Sequence, residues 1–283
     1  MTLLTSVRRV ALLAAVATTA LQAQAIRNTA GFTLAQLPRN DDGSTDLVNV
    51  GFTFNLFGLT QNNLFVNNNG NVTFTQALAT FTPDPIAGRN LAILAPFWAD
   101  VDTRALGSGI TAYGTGAIGG RNAFAVNWLD VGYFSTRADK LNTFQLIMVD
   151  RTDTGAGNFD FEFNYGGIQW DTGAASNGVD GLCPAAPAPR TPARAGWANG
   201  SAATFELAGS SVCGAFLDGG ANSLVRNSLN SAGVNGRYVW NVRNGSIAPP
   251  PSSVVPEPST YALMGTGLIG LVGIVRRRRR VGR

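Results

Sequence analysis

The 283-residue sequence contains no histidine, which excludes Ser-His-Asp triads, Cys-His dyads, histidine-ligated zinc sites and histidine general bases. Its formal charge is +4, but eight of its 21 basic residues lie within the first nine and the last eight positions. Residues 26–255 contain 13 basic and 16 acidic residues, a net charge of −3, so this region lacks the basic surplus typical of nucleic-acid binding.

The first 25 residues have the organisation of a secretory signal peptide. Arg8 and Arg9 form a positive start, residues 10–21 are apolar, and small residues follow at Ala23 and Ala25. This order is typical of a signal helix that is removed during export. We therefore predict cleavage after Ala25. A buried N-terminal helix is the alternative, but the polar sequence that follows, rich in asparagine and glycine, disfavours it.

Residues 26–246 are predicted to form one all-β domain, with two sheets packed as a sandwich. The region is long enough to bury a sizeable core, and no stretch of it has apolar residues at helical spacing over three turns. Aromatic and polar residues alternate at 159–165, which predicts a half-buried strand, whereas residues 143–149 are apolar on both faces and predict a central strand. Strands are predicted at residues 48–54, 64–66, 71–74, 91–95, 123–129, 143–149, 159–165, 203–207 and 237–242.

Two turns and one irregular loop are predicted between these strands. Residues 67–70 are Asn-Asn-Asn-Gly, and an Asn-Gly pair readily adopts the positive φ of a tight hairpin. Residues 152–155 form the turn before the alternating strand. Residues 184–192 contain four prolines and predict a surface loop, because proline cannot pair within a central strand.

Four sequence blocks stand out in the middle of the chain: LAPFWADVDT at residues 94–103, NTFQLIMV at 142–149, FNYGGIQW at 163–170 and AGW at 195–197. Together they resemble the nidogen-like (NIDO) domain. The resemblance spans about residues 91–207 and implies a β-rich extracellular domain, of the kind found in basement-membrane and mucin-like proteins, that is associated with cell–matrix adhesion and has no known catalysis. The chain lacks the EGF-like or other cysteine-rich modules that accompany this domain, so no partner of those modules is inferred. Residues 31–75 are expected to complete the same sheet system.

Asp100 and Asp102 are the strongest candidates for a metal-binding or catalytic role. In an extended segment the side chains at i and i+2 share a face, so both carboxylates are able to converge on one calcium ion or on a glycosidic bond. Catalysis needs a further carboxylate at a defined separation, and the sequence offers only distant candidates such as Asp130 or Asp150. We expect turn-capping aspartates first, a calcium site second and catalysis last. Residues 40–46, NDDGSTD, also suggest calcium, but they lack the EF-hand spacing and favour a polar turn.

Four tryptophans of the chain raise the possibility of a sugar-binding protein, a lectin, because exposed indole rings stack on the faces of sugars. The four tryptophans considered have apolar neighbours, which favour burial in the core. They are Trp98, Trp128, Trp170 and Trp197.

The two cysteines, Cys183 and Cys213, are predicted to form a disulfide, because exported proteins fold in oxidising compartments. Two unpaired thiols are the alternative, since spacing alone does not bring the two residues together.

At the C-terminal end, a proline-rich spacer at residues 247–255 leads to a Pro-Glu-Pro motif, an apolar stretch at 260–275 predicted to be a transmembrane helix, and a basic tail at 276–283. In this order, residues 256–283 resemble the PEP-CTERM sorting signal of Gram-negative bacteria. The resemblance implies that an exosortase-type membrane enzyme recognises the Pro-Glu-Pro segment, removes the tail and releases or relocates the protein. An ordinary single-pass anchor is the alternative. The motif residues are Val255, Pro256, Glu257, Pro258, Ser259 and Thr260, and the stop-transfer residues are Arg276, Arg277, Arg278, Arg279 and Arg280.

Together these features predict an exported protein that passes through an inner-membrane intermediate to the cell surface or an exopolysaccharide matrix such as a biofilm. We expect a non-enzymatic adhesion or structural role, with an extracellular polysaccharide or matrix protein as partner. No cofactor is predicted, apart from the calcium considered above. The alternative is a carboxylate-dependent hydrolase or a lectin that acts on matrix polysaccharide.

Overall fold

The computed structural model describes residues 24–184 and 190–247, which form two antiparallel β-sheets and confirm the all-β prediction. Two short 3₁₀ helices, Thr152–Thr154 and Ala174–Ser176, lie in the connections. In chain order the strands are β1 (Thr33–Gln36), β2 (Val48–Leu56), β3 (Leu59–Asn67), β4 (Asn71–Thr73), β5 (Ala92–Trp98), β6 (Val101–Asp102), β7 (Ala112–Ile118), β8 (Arg121–Tyr133), β9 (Arg137–Asp150), β10 (Phe159–Gly167), β11 (Arg194–Asn199), β12 (Thr204–Glu206), β13 (Arg237–Arg243) and β14 (Ser246–Ile247).

The predicted signal helix and C-terminal transmembrane helix lie outside the described residues. Of the predicted cleavage residues, Ala25 belongs to the described chain and Ala23 does not. Within residues 24–184 and 190–247, no helix is long and apolar enough to span a membrane.

The two sheets pack face to face as a sandwich. The first has the order β1-β7-β8-β9-β10-β13-β14, with β6 beside β8, and the second has the order β12-β11-β5-β4-β3-β2. Aromatic rings from both sheets meet in the core: the ring centroids of Phe97 and Phe144 are 5.2 Å apart, and those of Phe54 and Phe159 are 5.3 Å apart. Rings at these separations bury large apolar areas and make favourable tilted contacts, so the core lies between the sheets.

In strand β10, the predicted burial of the aromatic face is confirmed, but the predicted exposure of the polar face is not. Its four aromatic residues point into the core and are almost completely buried. The opposite face was predicted to be exposed, yet Glu162 and Asn164 are buried there as well. Residues 25–27 cover this face: Arg27 forms an ion pair with Glu162 at 2.6 Å, and the Ala25 carbonyl accepts a hydrogen bond from Arg237. The expectation of a half-buried strand was therefore wrong for this face, since a polar cover packs on it.

The predicted hairpin at residues 67–70 joins β3 to β4, where Asn67 pairs with Asn71. Gly70 has φ +74°, in the left-handed region that favours glycine. A Cβ atom on Gly70 would lie 1.8 Å from the carbonyl oxygen of Phe97 on β5. The turn at Gly70 therefore lies so close to the backbone of β5 that only a residue without a Cβ atom fits there.

Strands β1 and β7 form an edge of the first sheet that the sequence did not predict. Gly114 of β7 lies against the backbone of Thr33 in β1, and a Cβ on Gly114 would lie 2.0 Å from the Thr33 carbonyl oxygen. Glycine is uncommon within strands because it offers no side chain to pack. In β7, glycine permits this close contact with the backbone of β1. The segment therefore forms a strand, although its glycine content is typical of a loop.

The core prediction for the tryptophans is confirmed. Trp98, Trp128 and Trp170 are fully buried, and Trp197 is 8% exposed. The fifth tryptophan, Trp240, stacks on Phe161 in the core. No tryptophan of the chain is therefore available on the described surface for stacking on a sugar.

The predicted disulfide is present. Cys183 and Cys213 are bonded, with their Cα atoms 5.3 Å apart. The bond connects the segment that follows β10 to the loop that follows β12 and closes a loop with a sequence separation of 30. In the chain-entropy account, closing a loop of this length stabilises the folded state by about 3 kcal/mol.

Reducing this disulfide is expected to lower the melting temperature of the purified protein by roughly 10 °C, because the unfolded chain regains its loop entropy. Thermal unfolding with and without reductant measures the effect. The Cys183→Ser, Cys213→Ser double variant serves as the control, and its melting temperature should not respond to reductant. Two titratable thiols in freshly exported wild-type protein would contradict the prediction.

Candidate functional site

An acidic cluster lies where the loop between β1 and β2 meets the connection between β5 and β6. Asp41 and Asp42 belong to the first segment, and Asp100 belongs to the second. One carboxylate oxygen from each of the three residues lies within 4.8 Å of those of the other two. Two stretches that separately suggested calcium in the sequence are therefore adjacent in the fold.

Asp100 is the most buried member of the cluster. It is 1% exposed, and its Oδ2 atom has no hydrogen-bond partner among the described residues. Burial raises the pKa of Asp100 to about 7, and the negative charges of Asp41, Asp42 and Asp102 act in the same direction. An ionised carboxylate is costly in such a place unless a donor or a cation compensates it.

Asp41 has a similar environment. Its Oδ1 atom is buried without a hydrogen-bond partner among the described residues, whereas its Oδ2 atom lies 2.9 Å from Arg104. Burial, followed by the charges of Asp102 and Asp42, raises the pKa of Asp41 to about 6. Asp41 and Asp100 thus each carry one buried carboxylate oxygen without a hydrogen-bond partner among the described residues.

Two buried asparagines of the β3–β4 hairpin hold the cluster in place. The Asn68 side chain donates to the backbone carbonyls of Asp41 and Val101, and so connects the two segments. The Asn69 side chain donates to Oδ1 of Asp42 at 2.8 Å and accepts a hydrogen bond from the Val101 amide at 3.0 Å. Such a network restrains the positions of the carboxylates. Sequence reasoning assigned these asparagines only to a turn and missed this role.

Asp102 does not join the cluster. Its carboxylate accepts hydrogen bonds from the Arg104 side chain at 2.6 and 2.9 Å, and from the backbone amides of Arg104 and Thr136. Burial acts to raise the pKa of Asp102, but these donors outweigh it and lower the pKa overall. The carboxylates that lie close together are therefore those of Asp41, Asp42 and Asp100, whereas the sequence had paired Asp100 with Asp102.

The two further carboxylates considered for catalysis lie elsewhere and are engaged in local contacts. Asp130 accepts a hydrogen bond from the Thr143 hydroxyl at 2.7 Å, and Asp150 accepts one from the Thr152 amide at 2.9 Å. Asp150 therefore has the turn-stabilising role that aspartates commonly adopt, whereas Asp130 of β8 makes a contact with the neighbouring strand β9.

Comparison with known proteins agrees with this architecture. The family model of the nidogen-like domain matches residues 62–117 and 111–244, more than the 91–207 that the sequence blocks indicated. The PEP-CTERM protein-sorting motif matches residues 254–280. No solved structure matches the chain.

Alpha-tectorins are among the similar curated proteins. The mouse protein is 31% identical over 170 residues, the human protein 32% over 165 and the chicken protein 30% over 169. Each match covers 50% of this chain but only 7 or 8% of the relative. Because the nidogen-like family model covers more than half of the chain, and the sorting motif follows it, the chain belongs to the nidogen-like domain family and carries a PEP-CTERM sorting motif.

Proposed function

We propose that this protein is an exosortase-sorted extracellular module with a structural or adhesive role in the matrix around its producer. The observation that carries this proposal is the order of the two matches, a nidogen-like domain at residues 62–244 followed directly by a sorting motif at 254–280. The domain would reach the outside after removal of residues 1–25. Residues 260–275 would hold it at the inner membrane until the sorting enzyme acts.

The described residues support a non-enzymatic role. Asp100, which is 1% exposed, is inaccessible to a polysaccharide chain. Three surface cavities lie beside the strands, and their linings contain a single carboxylate, Asp130. Glycoside hydrolysis ordinarily needs two facing carboxyl groups, so these cavities do not favour the hydrolase. The buried tryptophans likewise do not favour a lectin that stacks sugars on indole rings.

Replacing Glu257 with alanine is expected to leave most of the protein in the membrane fraction in its unprocessed, larger form. A proline on each side of Glu257 favours an extended backbone there, as a processing enzyme would need, and Glu257 is the charged residue of the motif that such an enzyme would recognise. Immunoblots of membrane, cell-surface and medium fractions measure the outcome. Ser252→Ala, outside the motif, is the control and should be processed like the wild type. Equal processing of Glu257→Ala and wild type would contradict the sorting proposal.

The released wild-type protein then tests the molecular role. It should sediment with the producer's exopolysaccharide, or with protein from the same matrix, and should release no reducing sugar from that polysaccharide. Reproducible release of reducing sugar would favour the hydrolase instead.

A further inference from the structure

The acidic cluster contains more negative charge than its neighbours compensate. Arg104 is the cation beside it, and this side chain already forms ion pairs with Asp102 at 2.6 Å and with Oδ2 of Asp41 at 2.9 Å. The Oδ1 atom of Asp41 and the Oδ2 atom of Asp100 remain buried without hydrogen-bond partners among the described residues. Buried polar atoms are nearly always satisfied in native proteins, so this pair of oxygens indicates a missing positive partner.

We propose that Asp41, Asp42 and Asp100 bind a calcium ion. Their carboxylate oxygens lie within 4.8 Å of one another, close enough to coordinate one ion. The nearly complete burial of Asp100 is the independent observation that separates this cluster from an ordinary acidic surface patch. Oxygen-only ligands suit calcium, magnesium or manganese rather than zinc or copper.

Calcium fits better than magnesium because of where the ligands lie. Asp41 and Asp42 are adjacent residues in an irregular loop, and Asp100 lies between two strands, directly after a bend at Ala99. Calcium accepts six to eight oxygens in flexible geometry, whereas magnesium requires a near-ideal octahedron. The carboxylates would supply part of the coordination sphere, and water or backbone carbonyls would complete it.

The ion would fasten two distant parts of the chain together. The Asn68 and Asn69 side chains already hold the loop carrying Asp41 and Asp42 against Val101, which follows Asp100. A cation shared by the same two segments would add to this connection and would bind the folded chain in preference to the unfolded chain. Its role is therefore structural, and it is independent of the proposed matrix function.

Calcium titration of the full chain, expressed for export and purified in the form that the cell accumulates, tests the proposal. After treatment with a chelator, added calcium should raise the melting temperature in a saturable way, with a dissociation constant of roughly 10⁻⁴ to 10⁻³ M, as in other extracellular modules. Isothermal titration calorimetry should show one site. Magnesium at equal concentration and sodium chloride at equal ionic strength should have much smaller effects.

The stability of Asp100→Asn should be compared with that of the wild type both without and with calcium, because the substitution is expected to act differently in the two conditions. Without calcium it should be as stable as the wild type or more stable, because an uncompensated buried charge is removed. Added calcium should raise the melting temperature of this variant only slightly, because its affinity for calcium should be at least about tenfold lower than that of the wild type. Asp42→Asn, at a more exposed position, gives the same test of affinity if Asp100→Asn does not fold. Asp102→Asn should lose stability in both conditions and keep its response to calcium.

The proposal is overturned if the wild type shows no saturable response to calcium, or if magnesium or sodium chloride reproduces the response. It is also overturned if Asp100→Asn binds calcium with wild-type affinity, or if Asp100→Asn does not fold and Asp42→Asn binds calcium with wild-type affinity.

Discussion

Replacing Gly70 with alanine should destabilise the domain by about 4 kcal/mol or more, at the upper end of the range for single substitutions. The added Cβ would lie 1.8 Å from the Phe97 carbonyl oxygen and 3.2 Å from the Phe144 ring. The first contact is with backbone, so relief requires the β3–β4 hairpin to move away from β5. The Asn68 and Asn69 side chains, which hold the acidic cluster, would move with it.

Gly120→Ala is the matched control for this experiment. Gly120 lies in the turn between β7 and β8 with φ +77°, close to the +74° of Gly70, but nothing lies within 4 Å of the position that its Cβ atom would take. The substitution should therefore cost only about 1 kcal/mol, from the unfavourable φ alone. Urea unfolding of both variants measures the difference. Equal stability losses in the two variants would show that the contact with Phe97 is unimportant.

Replacing Glu162 with glutamine should cost about 3–5 kcal/mol, the usual result of removing one partner from a buried ion pair. Glu162 accepts hydrogen bonds from Arg27 at 2.6 and 2.9 Å, and its Oε2 atom lies 3.6 Å from the Arg237 guanidinium. Burial lowers the pKa of Arg237, while Glu162 acts to raise it. Without Glu162, the Arg237 charge would remain in the sheet and lose the carboxylate with which it pairs among the described residues.

Asp180→Asn provides the comparison. Asp180 pairs with Arg137 at 2.8 Å, but both side chains are about half exposed. Exposed pairs of this kind contribute about 0–1 kcal/mol, so the variant should unfold almost like the wild type. Chemical denaturation of both proteins in low salt gives the two free energies of unfolding. A Glu162→Gln loss no larger than that of Asp180→Asn would contradict the prediction.

The sequence predicted the strands with strong local patterns and missed those defined by distant contacts. All nine predicted strands are present, because alternating or wholly apolar side chains indicate them directly. Strand β7 was missed because its glycines resemble a loop, and their role depends on β1, which lies about 80 residues earlier in the sequence. The burial of Glu162 was missed for the same reason, since the residue that covers it is Arg27.

The candidate site shows the same limit. Asp100 and the loop at residues 40–46 were each recognised as candidate calcium ligands, but nothing in the sequence indicated that they meet. The i and i+2 rule joined Asp100 to Asp102 instead, because such a rule considers only neighbours along the chain, whereas Asp41 and Asp42 approach Asp100 from a segment about 60 residues earlier. The Arg104 side chain, two residues after Asp102, was the local signal for a different role of that carboxylate.

The pairing of β10 with β13 determines when the domain can fold during export. Phe159 of β10 lies opposite Val242 of β13, so the first sheet remains incomplete until nearly the whole domain has crossed the membrane. Pairing across such a long separation is slow, because loop closure must precede the stabilising contacts. The sorting motif begins at residue 254, a few residues after β14 ends at Ile247. We therefore expect the domain to finish folding only as its sorting segment arrives at the membrane, so a chain that stalls in translocation would stay unfolded and open to proteases.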